Sequence, residues 1–178
     1  MKNIVVFCGS SMGTKKTYST AAREIGKFIA EKGHRLIYGG GTLGLMDVVS
    51  DATLNAGGEV VGIMPRIFDP AVVGEKQLTR FISVKDLAER KEKMLEMGHV
   101  FIVLPGGFGT LDELYEVLAA AQLEQISATV GLLNLEGFFD ATLNQLDKMV
   151  AEGFLKPRHR ALLVEGKTPD ELFRKMDM

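Results

Sequence analysis

Apolar residues follow two patterns along the chain: short unbroken runs, and longer stretches in which they recur every three or four positions. Runs at Asn3–Cys8, His34–Tyr38, Glu59–Met64, Val100–Leu104 and Thr129–Leu135 lack the period-two alternation of a half-exposed strand. They predict strands covered on both faces. Weaker runs at Leu78–Val84 and Ala161–Val164 add two more. Between them, helical spacing predicts an amphipathic helix ending near Lys32-Gly33, then helices over Leu45–Asn55, Lys85–Met97, Thr110–Gln122, Phe138–Glu152 and from Pro169 onward. The segment 66–75 has no period and is expected to be a long loop. Regular alternation of strand and helix predicts an α/β fold, a Rossmann-like doubly wound parallel sheet with helices on both faces, as a single domain over residues 1–178.

The run Val100–Leu104 leads into Pro105-Gly-Gly-Phe-Gly-Thr-Leu-Asp-Glu113, the stretch on which the rest of the chain converges. Pro105 stops the strand, and Gly106, Gly107 and Gly109 allow backbone conformations closed to other residues. Thr110 is placed to open a helix. Two readings of this bend stand side by side. Its bared amides, at the positive end of a helix dipole, suit an anion such as phosphate. Thr110 and Glu113 also have the spacing of a capping box, which would satisfy those amides internally. The turns after the first and second strands, Gly9-Ser-Ser-Met-Gly13 and Gly39-Gly-Gly-Thr-Leu-Gly44, are glycine-rich as well. In a doubly wound sheet all three lie beyond the carboxyl ends of the strands, where ligands bind.

Composition narrows the field. Over 178 residues the net charge is -2 with 25% charged residues, so no basic field draws nucleic acid or an anionic membrane. The single cysteine, Cys8, cannot form an internal disulfide; as a small buried thiol it is not a candidate nucleophile. No signal sequence or long apolar span is present, which predicts a soluble, cytoplasmic protein. His34, His99 and His159 have no ligand spacing and do not make a metal centre.

Gly39-x-Gly41-x-x-Gly44 matches the dinucleotide fingerprint literally. It follows the second strand rather than the first, and the next strand ends in Met64-Pro65 instead of the acid that would hold a ribose. An NAD-linked enzyme is therefore the poorer use of these glycines, and a phosphate or nucleotide cradle the better one. Arg90 shares an expected inward stripe with Leu87, Met94 and Met97. An always-charged guanidinium on an apolar stripe needs an anionic partner, unless it snorkels to solvent beside Glu89, Lys91 and Glu92.

Taken together, Pro105–Glu113, Tyr38-Gly-Gly-Gly-Thr-Leu-Gly-Leu-Met46, Cys8-Gly-Ser-Ser11 and Glu89-Arg-Lys91 resemble the LOG family. Its members are cytokinin-activating phosphoribohydrolases, long labelled lysine decarboxylases, and the likeness runs from Ile4 to about Phe154. The resemblance implies hydrolysis of the N-glycosidic bond of adenosine 5′-monophosphate or an N6-substituted derivative, giving free base and ribose 5-phosphate. It implies a homodimer or larger assembly, with the site near the subunit interface, and no cofactor. Arg90 and Glu113 would be the catalytic pair, with Gly107, Gly109 and Thr110 holding the 5′-phosphate. Ser10, Glu75 and Lys91 would line the nucleotide pocket. Gly41, Met46 and Gly106, inside the matching motifs, join them on the substrate and phosphate side.

Three positions depart from the family pattern. Asp47 follows Met46 where glycine is usual, and would oppose a phosphate if it pointed inward. Ala119 and Ala120 replace a polar Thr and a Trp of the plant-like enzymes, which predicts a wider or differently shaped base pocket. The residues suit the chemistry by themselves. A carboxylate such as Glu113 stabilises positive charge on a sugar ring and can take a proton from the attacking water, while Arg90 fixes a phosphate or Glu113 itself. Asp112 is the candidate donor to the departing base. Pyridoxal-dependent decarboxylation would need a Schiff-base lysine and a partner acid, an arrangement no segment displays. A non-catalytic nucleotide-binding or regulatory module is the alternative.

Overall fold

The computed structural model describes residues 1–68 and 78–178. Strands β1 (Asn3–Phe7), β2 (Arg35–Tyr38), β3 (Glu59–Pro65), β4 (Arg80–Val84), β5 (Val100–Val103), β6 (Thr129–Leu133) and β7 (Leu163–Gly166) form one sheet in the order β4-β3-β2-β1-β5-β6-β7. Every neighbouring pair is parallel. The helices are α1 (Lys16–Glu31), α2 (Gly44–Asn55), α3 (Leu87–Met97), α4 (Phe108–Gln122), α5 (Asp140–Ala151), α6 (Pro157–Arg160) and α7 (Pro169–Lys175). This is the doubly wound α/β fold that the alternation predicts. The chain order reverses between β1 and β5, which places the switch point beside the turns after β1, β2 and β5.

The strands read as unbroken apolar runs because their alternate residues serve two cores. Ile4, Val6 and Cys8 turn toward Ala22, Ile25, Val49 and Phe173 of α1, α2 and α7. Val5 and Phe7 turn the other way, onto Met94, Leu114 and Leu143 of α3, α4 and α5. Each large side chain buried in this way contributes about 1.5–3 kcal/mol. Both faces of β1 are closed, so a ligand can approach only over the strand ends.

Boundaries differ from expectation where side chains take over the backbone. The run Thr129–Leu135 stops pairing at Leu133. Asn134 then accepts from the Phe139 amide at 2.7 Å and donates to Asp140 at 2.8 Å, and Leu135–Gly137 turn as a short 3-10 helix. α5 accordingly starts at Asp140 rather than Phe138. α3 starts at Leu87, because Asp86 accepts from the Glu89 amide as its N-cap, and Leu87 is exposed rather than part of the inward stripe. The last strand lies two residues further on than its apolar run suggests. Residues 69–75 of the expected long loop, Glu75 among them, lie outside the described residues. His34 and His99, at the amino ends of β2 and β5, accept from the amides of Lys2 and Asn3, far from the glycine turns. No helix among the described residues is long and apolar enough to cross a membrane.

Candidate active site

The turn after β1 is bonded to both of its neighbours. The Gly9 amide donates to the Pro105 carbonyl at 3.0 Å, and the Gly9 carbonyl accepts from the Leu45 amide at 3.0 Å. Such close backbone approach requires glycine at two places. Gly44 has φ +61, and a Cβ there would stand 2.3 Å from the Ser10 carbonyl carbon. At Gly106 a Cβ would stand 2.0 Å from Thr110 Oγ1 and 2.8 Å from the Gly9 nitrogen. The three turns thereby enclose a cavity of about 430 Å³, within the range of small-molecule sites. Its wall brings together Ser10, Met46, Arg90, Gly107, Gly109, Thr110 and Glu113, drawn from the turn after β1, from α2 and α3, and from the bend and first turns of α4.

The capping-box reading of the central bend does not hold. α4 begins at Phe108, two residues earlier than expected, with Gly107 as an N-cap that makes no side-chain cap bond. Glu113 is thus free to turn inward. It is 8% exposed and accepts from Arg90, Nη2 to Oε1 at 2.9 Å. The inward guanidinium has a carboxylate partner rather than snorkelling to solvent, yet its Nε is buried with no hydrogen-bond partner among the described residues. Arg90 and the first turn of α4 line the same cavity, and the uncapped amides of that turn suit a bound anion.

Burial dominates the electrostatics of Glu113. It raises the carboxyl from its ordinary 4.5 to about 7; Arg90 and Lys91 pull the value down, and Asp112 pushes it up. A carboxyl poised there exchanges protons readily near neutrality. Cys8 lines the same cavity, but burial first, then the charge of Glu113, drive its thiol far upward. It stays protonated and is a poor nucleophile.

Other expected site residues fall elsewhere. Lys91 is off the cavity wall, its Nζ held by Asp112 and Glu116. Gly106 and Gly41 lie behind the wall, packed on Thr110 and Met46. Asp112 is also off the wall, its side chain 60% exposed beside Lys91, and is badly placed to protonate a leaving base. Asp47 lines a separate groove between α1 and α2 with Arg23 and Lys27, so it does not oppose a phosphate in the cavity. Ala119 borders an outward groove and Ala120 is buried, so neither reshapes the cavity within one chain. An apolar wall made by Leu43, Met64, Phe68 and Phe108 was not anticipated. Phe108, 94% exposed on the glycine bend, is the one for which the sequence carries a signal, a bulky apolar residue amid glycines.

A family model described as possible lysine decarboxylase matches residues 46–176. Over 176 residues the chain is 43% identical to a probable cytokinin riboside 5′-monophosphate phosphoribohydrolase of Oryza sativa subsp. japonica, covering 99% of this chain and 72% of that one. It is 44% identical over 177 residues to a cytokinin riboside 5′-monophosphate phosphoribohydrolase of Arabidopsis thaliana, covering 99% and 77%. Among solved structures, the molybdenum cofactor binding protein of Rippkaea orientalis matches with a TM-score of 0.73 at 20% identity, over 99% of this chain and 96% of that one, which carries the fold alone. A decarboxylase of the usual kind would hold pyridoxal phosphate on a lysine. No lysine lines the cavity among the described residues, so these residues do not fit that cofactor. With more than 40% identity to those phosphoribohydrolases along nearly its whole length, and a matching family model over most of it, this chain belongs to the LOG family.

Proposed function

We propose that this chain hydrolyses the N-glycosidic bond of a purine nucleoside 5′-monophosphate, adenosine monophosphate or an N6-substituted derivative, to free base and ribose 5-phosphate. The observation that carries the reading is the Arg90–Glu113 pair, 2.9 Å apart in the wall of a cavity that the first turn of α4 also borders. The phosphate sits on the amides of Gly107 to Thr110, where helix dipole and bared N–H groups favour a negative charge. That anchor leaves the sugar beside Glu113. As the bond from C1′ to the base nitrogen breaks, its electron pair leaves with the base and positive charge develops on the ring. The Glu113 carboxylate stabilises that charge and takes a proton from the water whose oxygen bonds to C1′. With Asp112 off the cavity wall, Glu113 is the carboxyl placed to pass a proton on to the base. Arg90 holds Glu113 in register. Ser10 and Met46 line the space that the nucleoside fills, while Leu43, Met64, Phe68 and Phe108 suit a flat purine and an apolar N6 substituent.

The names of the relatives, cytokinin riboside 5′-monophosphate phosphoribohydrolases, support this reading. Incubation with adenosine monophosphate and with isopentenyladenosine monophosphate is expected to release free base and ribose 5-phosphate in equal amounts. A nucleotide-binding module without chemistry would bind and release neither product.

The setting we propose is a cytoplasmic homodimer of single-domain subunits. The outer side of α4 meets α5 and α6 in an apolar groove lined by Tyr115, Leu118, Ala119, Met149 and Leu155. Phe154 beside it is 88% exposed, a surface that a second copy would cover. Light scattering should return about twice the 19.4 kDa chain mass, and a monomeric mass would refute the dimer.

A further inference from the structure

We infer that the first two turns of α3 form a latch on the cavity, held shut chiefly by the Arg90–Glu113 pair: this half of the helix opens about a fixed carboxyl end at Met94–Gly98, carries Arg90 away from Glu113, and closes on a bound nucleotide. This rests on the reading of the cavity as a nucleoside 5′-monophosphate site. The sequence decides where α3 can hold. Glu89 to Lys93 are five consecutive charged residues, so the first half of the helix has only Leu87 and Ala88 to bury, and both are exposed. Of the eleven residues of α3 only Met94 is buried, whereas α4 beside it buries Leu114, Val117, Ala120 and Ala121 as well as Thr110 and Glu113. The carboxyl end is fixed. Met94 joins Val5 and Phe101 in the core, the Met97 carbonyl accepts from Asn3 Nδ2 at 2.9 Å, and Gly98 lies so close to Phe101 that a Cβ there would stand 2.3 Å from the ring.

The helix keeps its form locally, since Asp86 accepts from the Glu89 amide at 3.0 Å and Glu89 accepts from the Lys85 amide at 2.6 Å. What docks its first half is charge. The pairs that Lys91 makes with Asp112 and Glu116 involve exposed acids and add little. Arg90 and Glu113, with side chains 15% and 9% exposed, make the sheltered contact. An element with so few buried apolar contacts opens at a low free energy, and a helix of this length that has left its packing frays. Arg90 is part of the cavity wall, so opening widens the cavity and lets the free base and ribose 5-phosphate leave. A ligand inside touches α3 only when the latch is shut, and therefore shifts the population toward the closed form.

The test is amide hydrogen exchange followed by NMR on the full chain, free and with ribose 5-phosphate. In the free chain the amides of Arg90 to Lys93 should exchange about a hundredfold faster than those of Leu114 to Leu118 in α4. Ribose 5-phosphate at about a hundred times its Kd should slow them about a hundredfold, while the amides of α7, away from the cavity, keep their rates. Arg90→Met should speed the amides of residues 90–93 in the free chain about tenfold or more. Exchange at these positions as slow as in α4, or unaltered by Arg90→Met, would overturn the latch. Protection of the first turn of α4 without protection of α3 would overturn closure on the ligand. If ribose 5-phosphate protects neither helix, the reading of the cavity fails by itself, and the rates in the free native chain and in Arg90→Met still decide whether α3 opens.

Discussion

Replacing Glu113 by Gln is expected to lower turnover about 10³-fold or more while the fold persists. The amide keeps the volume and can still accept from Arg90, but it can neither carry the charge that opposes a cationic sugar nor take a proton from water. The same account fixes a pH dependence. Burial holds the Glu113 carboxyl near 7, and the reaction needs the ionised form, so kcat/KM should fall about tenfold per unit below pH 7 and level off above it. A phosphate monoester titrates roughly a unit lower, so its own limb is separable. Stability moves in the opposite sense. The folded value is raised above the ordinary 4.5, so this group's contribution to the fold is complete below that pH and is lost as pH climbs through 7. The Tm difference between Glu113→Gln and the native chain should therefore shift in favour of the variant across that window. Unchanged turnover, or an acid limb that survives in the variant, removes Glu113 from the chemistry.

Arg90→Ala is expected to cost about 10²-fold or more in kcat/KM at pH 7, by a different route. Its charge is the first of those pulling the Glu113 value down, so removing it drives that value upward from 7 and leaves the carboxyl neutral where the native enzyme works. Activity should recover in part as pH rises, which loss of a phosphate contact alone would not produce. Breaking a buried ion pair typically costs about 3–5 kcal/mol because the abandoned charge stays buried. Here protonation of Glu113 relieves that penalty, so the loss of stability in urea unfolding should be smaller at pH 6 than at pH 9. A rate equal to that of the native chain, or a stability loss independent of pH, would contradict the pairing.

The fold was legible because a strand covered on both faces has to be apolar at every position, as Ile4 to Phe7 and Val100 to Val103 are. Arg90 was legible for the converse reason, since a permanent charge on an apolar stripe demands a partner. What sequence spacing could not resolve was which of two partners a side chain takes. Thr110 and Glu113 have the spacing of a capping box, but the helix begins at Phe108, two residues before the expected start, and leaves Glu113 to Arg90. The family resemblance puts Lys91, next to Arg90, in the pocket as well, whereas its Nζ is held by Asp112 and Glu116 off the cavity wall. The rotation of α3 against α4 puts the two on opposite sides of their contact, and that rotation depends on how both helices pack on the sheet. Phe68 and Met64 joined the cavity wall through folding alone, with no local pattern to announce them.

The account stands on a nucleotide phosphate lodged at the bend between β5 and α4, with its sugar against the paired acid and guanidinium. The most direct measurement is a crystal structure of Glu113→Gln, which should hold substrate unreacted, soaked with adenosine monophosphate. The expected result is phosphate oxygens within about 3 Å of the amides of Gly107 to Thr110, and C1′ facing the side chain at position 113 and Arg90. Phosphate density at another turn, or a nucleotide whose C1′ faces away from that pair, would contradict it.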